Sequence, residues 1–167
     1  MRIAGFTPES MVDGPGLRAV LFTQGCPHQC RGCQNKHTWP LTGGQELSLR
    51  EVIALIEKNI TPLHKGITLS GGEPMLQAPA LSLIAGYFGL HLVTYTGFTI
   101  EQLLESKLPG VMDLLAKTNI LVDGRYEAAQ RDLKLAYRGS RNQRLIDVPA
   151  TLKAGKVILW DALSDAG

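Results

Sequence analysis

The run RAVLFTQGCPHQCRGC (18–33) joins a β-rich hexamer, RAVLFT (18–23), to a loop holding all three cysteines of the chain: Cys26, Cys30 and Cys33. The hexamer alternates and reads as a strand feeding the loop. Disulfides use cysteines in pairs, and a closed zinc site takes four ligands. Three thiols spaced Cys-x3-Cys-x2-Cys therefore pose a specific chemical question. Iron–sulfur clusters are held by cysteine thiolates, commonly four to a cubane. A cubane held by three leaves one iron open, as a catalytic zinc keeps an open position. Gly25, Pro27 and Gly32 let such a loop curl around a compact cluster. The spacing equally accommodates zinc completed by His28 or His37, or reduced thiols without metal.

Outward from this loop, strand and helix signals alternate. SLREVIALIEKN (48–59) opens with a capping box of Ser48 and Glu51, and Leu49, Val52, Ile53 and Ile56 share one helical face. GITLS (66–70) is a short strand ending in GGEP. MLQAPALSLIAGYFG (75–89) is mostly helical, loosened by Pro79 and ended near Gly89. LHLVTYT (90–96) is a strand, TIEQLLES (99–106) a helix capped by Thr99, and NILVDG (119–124) another strand. KVILW (156–160) reads as a final strand, and 125–147 has no clear period. Such alternation predicts an α/β fold with a mainly parallel sheet, in one domain. In these sheets the chemistry sits at the carboxyl ends of the strands. The cysteine loop, GGEP, Thr94 to Phe98 and Asp123 all follow strands, so four unusual segments are expected on one rim.

The composition narrows the function classes. The chain has 167 residues, 44% hydrophobic and 19% charged, which suits one soluble globular domain. Only 6% of residues are aromatic and the net charge is +2, so nucleic-acid binding is not expected. No apolar run approaches the roughly 20 residues of a membrane helix, and MRIAGFTPES lacks a signal-peptide apolar segment. A cytoplasmic location is expected, where thiols stay reduced.

CPHQCRGC (26–33) followed by SGGEP (70–74) resembles the paired motifs of the radical S-adenosylmethionine (SAM) superfamily. The resemblance implies a trimmed partial (β/α) barrel over residues 1–167. It implies one 4Fe–4S cluster with Cys26, Cys30 and Cys33 as its only protein ligands. The open iron would chelate the amino and carboxylate groups of SAM and deliver the electron that cleaves it to a 5′-deoxyadenosyl radical. Gly71 and Gly72 would let backbone carbonyls approach the methionyl ammonium, and Glu73 would add negative charge. Gly32 stands where many members carry an aromatic residue, which implies a more open cluster edge.

SMVDGPGLRAVLFTQGC (10–26) and CQNKHTW (33–39) resemble the activating enzymes of glycyl radical enzymes. YTGFTIEQLL (95–104), VDGRYEAAQRDLKLAYRGSRNQRLIDV (122–148) and GKVILW (155–160) resemble the branch that serves anaerobic (class III) ribonucleoside-triphosphate reductase. The implied activity is hydrogen abstraction from one glycine of that reductase, with a flavodoxin or ferredoxin-type protein as reductant. With three cysteines in total, no second cluster is expected. Arg125 would clamp the SAM carboxylate, and Asp123 would orient it or the ribose. Thr94, which stands where related activases often carry an acid, and Thr96 join the cofactor-contact set. Asp13 and Gly14, in VDGPG (12–16), would meet the partner. Residues 131–156 carry seven basic residues and two acids, a net +5, and Arg138 and Arg141 within them are expected at the partner surface. The nearest alternative is activation of a pyruvate formate-lyase-type enzyme. Without the resemblance, a one-cluster electron carrier and a zinc-stabilised interaction module also remain.

Overall fold

The computed structural model describes residues 1–161, so the last six residues of the domain expected over 1–167 lie outside the described residues. Strand β2 (Arg18–Thr23) is almost wholly buried, as a central parallel strand must be. It pairs in parallel with β4 (Gly66–Gly71), which pairs in parallel with β5 (His91–Tyr95), which pairs in parallel with β6 (Ile120–Asp123). Antiparallel strands flank this centre. They are β1 (Arg2–Ser10) and the short β3 (Gln45–Glu46) on one side, and β7 (Arg144–Asp147) on the other. The sheet order is β3-β1-β2-β4-β5-β6-β7.

Successive parallel strands are spatial neighbours, and the helices between them pack on one face. These are α1 (Leu49–Asn59), α2 (Ala78–Phe88), α3 (Ile100–Leu104) and α4 (Val111–Leu115), followed by α5 (Val148–Ala154) after β7. The helix-side core joins Val52 and Ile56, Leu81 and Ile84, Leu103 and Leu114 to Leu21, Ile67, Leu69, Leu92 and Leu121 of the strands. The alternate strand residues Val93, Ile120, Val122 and Leu145 form a second cluster on the other face, with Tyr95, Tyr137 and Trp160 against it. This one-way winding with open edges is the expected trimmed (β/α) architecture.

Arg18 closes the amino ends of the parallel strands. It is fully buried, donates to Thr68 Oγ1 (2.7 Å) and to the carbonyls of Ile67 (2.6 Å), His91 (2.9 Å) and Pro15 (3.1 Å), and burial pulls its guanidinium down to about 10.

Three elements differ from the sequence reading. MRIAGFTPES carries β1 despite Gly5 and Pro8, because register irregularities between Ile3 and Gly5 and between Thr7 and Ser10 absorb the misfits. Pro79 lies in the first turn of α2, so it starts that helix rather than loosening one; a 3-10 turn, Pro74–Gln77, precedes it. KVILW forms no strand. It makes one bridge, Ile146 to Leu159, flanked by Asp147 N to Ile158 O and Trp160 N to Leu145 O.

Candidate active site

The loop after β2 is laced to the end of β4. Gly72 N donates to Thr23 O and Glu73 N to Gly25 O, both at 2.8 Å, while Gly25 N donates to Thr38 O (2.7 Å) and Cys26 N to Trp39 O (3.0 Å). The glycines permit this closeness. A Cβ on Gly71, whose φ is +100°, would stand 2.5 Å from Thr23 N, and one on Gly72 would stand 2.3 Å from Gly25 O. Gly71 and Gly72 therefore seat the cysteine loop.

Glu73 is turned inward as well. It is 0% exposed, and its carboxylate accepts from Met75 N (3.0 Å), Thr96 Oγ1 (2.9 Å), Gly97 N (2.8 Å) and His28 Nε2 (2.7 Å). Two donors per oxygen fill the roughly four acceptor positions of a carboxylate. Thr96 is committed too, donating to Glu73 and accepting from Phe98 N.

Thr94 lies apart from these residues. It shares the helix-side phase of β5 with Leu92, and its hydroxyl meets that of Thr118 at 3.0 Å in the layer under α4. Asp123 is 1% exposed and accepts from Ile100 N (2.8 Å) at the start of α3. It also pairs with Arg144, which forks onto Glu101 at 2.9 and 2.7 Å. Arg144, by the hydrogen bond first and its charge after, holds the Glu101 carboxyl down near 2. Arg125 is exposed, with its charge felt at Cys30.

All three thiols are free and half-buried. Burial pushes the Cys26 and Cys30 thiols up, while backbone N–H groups aimed at the sulfurs oppose that rise: His28 and Gln29 at Cys26, Tyr126 at Cys30. Asn35 N donates to Cys33 Sγ at 3.4 Å. Backbone N–H groups near a sulfur are the kind of contact that tunes iron–sulfur clusters. Among the described residues, no three His, Cys, Asp or Glu side chains converge as a single metal ion needs. His28 spends its Nε2 on Glu73. The donor set fits a cluster spread over three thiolates better than a zinc ion completed by His28.

Cys33 opens on a cavity of about 420 Å3 shared with Asp13, Ser70, Tyr95, Tyr126 and Arg138. Tyr95 donates to Tyr137 O at 2.6 Å, and burial, then the charge of Asp13, pushes its phenol up. Gly32 remains exposed, and its Cβ position lies 3.1 Å from Ala128 Cβ and 3.5 Å from the Tyr126 ring of the 125–143 segment. Of the expected partner contacts, Asp13 lines the cavity, whereas Gly14 (φ +136°) is buried where a Cβ would press on Arg18 and Val93. Arg138 turns into the cavity; Arg141 is on the surface, 71% exposed and paired with Asp132 at 3.0 Å. Ser70, Tyr95 and Tyr126 escaped the sequence reading. The alternation of β4 and β5 carried the signal for the first two, but not which face would line a cavity.

Residues 12–146 match the family described as a 4Fe-4S single cluster domain. Over 152 residues the chain is 36% identical to the anaerobic ribonucleoside-triphosphate reductase-activating protein of Salmonella typhimurium strain LT2, covering 86% of this chain and 96% of that protein. The chain belongs to this family. The activating protein of Escherichia coli K12 is 34% identical over 147 residues, covering 83% of this chain and 93% of that protein. The structure of QueE from Escherichia coli is similar with a TM-score of 0.45 at 18% identity, covering 73% of this chain and 69% of that one. The family description supports an iron–sulfur cluster in this chain, and the zinc module is set aside.

Proposed function

We propose that this chain is a radical SAM activase that installs a glycyl radical on an anaerobic ribonucleoside-triphosphate reductase. Its membership of the activating-protein family supports the target. The observation that carries the chemistry is the opening of Cys33 onto a cavity of about 420 Å3, the size range of small-ligand sites. Cys26, Cys30 and Cys33 would hold one 4Fe–4S cluster, with SAM in that cavity. Bound there and reduced, the cluster would supply the one electron needed to cleave SAM to methionine and a 5′-deoxyadenosyl radical, which would take a hydrogen atom from the glycine Cα.

The chain's own residues position and enclose. The Gly71–Gly72 seat fixes where the cysteine loop begins. Tyr126 and Ala128 stand beside Gly32 of the loop. Asp13 and Arg138 place an anion and a cation on the cavity wall, suited to a zwitterionic ligand and to the amide groups of an incoming loop. The electron would come from a flavodoxin or ferredoxin-type protein in the cytoplasm. Among the described residues no helix is long and apolar enough to cross a membrane.

The test is anaerobic. Reconstituted protein is reduced, mixed with SAM and purified reductase, and followed by electron paramagnetic resonance. A glycyl radical on the reductase, dependent on SAM and on all three cysteines, is the expected result. A radical only on a formate-lyase-type partner would move the target and keep the chemistry.

A further inference from the structure

One buried carboxylate ties together the loops that follow β2, β4 and β5. Glu73 takes Met75 N from its own loop, Thr96 Oγ1 and Gly97 N from the loop after β5, and His28 Nε2 from between Cys26 and Cys30. The His28 side chain is 4% exposed and packs edge-on against Phe98, with ring centroids 4.6 Å apart. Gly97 makes room for it, since a Cβ there would stand 2.3 Å from His28 Cδ2. Backbone bonds already fix residues 23–26 at one end of the cysteine loop. Among the described residues, the bond from His28 is the one side-chain hydrogen bond linking residues 27–34 to the loops after β4 and β5.

We propose that His28 is a positioning residue. It holds the ligand-bearing turn of the cysteine loop in register with the Glu73 and Thr96–Phe98 loops, and touches neither cluster nor SAM. The functional half of this inference rests on the SAM reading above. Two parts of one site, the thiols on one loop and the cavity wall on others, keep their relative placement through a shared carboxylate. Groups that orient a metal site from behind typically cost about 10–100-fold in affinity or activity when removed. The expected signature is weaker SAM binding at unchanged iron content, because the thiols themselves are untouched.

The test compares wild type with His28→Ala, His28→Gln and Gly97→Ala. Iron per chain is measured after reconstitution, SAM affinity by equilibrium dialysis, and exchange of the Gly97 amide without SAM. In His28→Ala, SAM affinity should fall about tenfold or more, iron should stay at the wild-type level, and the Gly97 amide should exchange faster. His28→Gln, whose amide can donate to the same oxygen, should recover most of both losses. Gly97→Ala displaces the ring from the opposite loop and should weaken SAM binding alike, which keeps the test open should His28→Ala not fold. Unchanged SAM affinity and Gly97 exchange in His28→Ala would overturn the proposal. Loss of iron in step with SAM would make His28 part of the cluster site and overturn it too. If wild type binds no SAM, the SAM reading falls, while the exchange data still decide whether His28 ties the loops.

Discussion

Replacing Gly72 by alanine separates a glycine that admits a ligand from one that seats a loop. The new Cβ would lie 2.3 Å from Gly25 O, 2.8 Å from Gly25 C and 3.0 Å from Gly25 N. All three are backbone atoms, one residue before Cys26, so no side chain can swing away. Reaching ordinary contact requires the loop to retreat by about 1 Å, and overpacking of this kind costs about 1–3 kcal/mol. The retreat also stretches Glu73 N to Gly25 O and Gly72 N to Thr23 O, each worth about 0.5–1.5 kcal/mol. A loss of about 2–4 kcal/mol is expected from urea unfolding of the iron-free protein. Reconstituted Gly72→Ala should hold less iron than wild type, and SAM binding should fall with it. Gly5→Ala is the control, because nothing lies within 4 Å of its Cβ position. Full iron content and normal stability with SAM affinity lost would refute the reasoning and restore Gly72 as a ligand-approach residue.

Cys30→Ala should abolish reductive SAM cleavage, and full cleavage by that protein would remove the cluster assignment. Asp123→Asn should destabilise the fold by about 2–4 kcal/mol in denaturant titration, since it leaves Arg144 and the α3 amide poorly matched; lost SAM affinity at full stability would return Asp123 to the cofactor. Glu101 is held near 2 in the folded chain against 4.5 ordinarily, so its contribution is present above about pH 4.5 and lost as pH falls towards 2. Glu101→Gln should accordingly flatten the stability profile across that window, as followed by thermal unfolding at each pH. Arg141→Glu should lower glycyl radical yield on the reductase at low salt, and the deficit should shrink as salt rises, because exposed charge is screened over about 8 Å at physiological ionic strength; a deficit independent of salt would exclude electrostatic docking by Arg141.

What the sequence disclosed was set by how local the determinants are. The capping box at Ser48, the cap at Thr99 and the strand 18–23 depend on neighbours within a few residues, and each appears where the pattern placed it. β7 was not legible, because RLID has too few residues to show a period. Its pairing depends on Asp123 and Arg144, 21 residues apart, meeting across the sheet edge. Thr94 shows a related limit. The period of two fixes that it shares a face with Leu92, but the side on which the helices lie is a property of the whole winding.

The GGEP segment shows the same limit at the site. A motif reveals that Gly71, Gly72 and Glu73 are needed together, and chemistry assigns them to the nearest charged ligand. The structure gives each a different employer: the glycines make way for the backbone of residues 23–25, and Glu73 gathers donors from residues 28, 75, 96 and 97. A carboxylate with no exposed surface and its acceptor positions filled holds loops together. The groups that do reach the cavity are Asp13, Ser70, Tyr95, Tyr126 and Arg138. Residues that build a site and residues that touch its ligand can therefore be separated by measurement: the former change iron, amide exchange or stability along with binding, and the latter change binding alone.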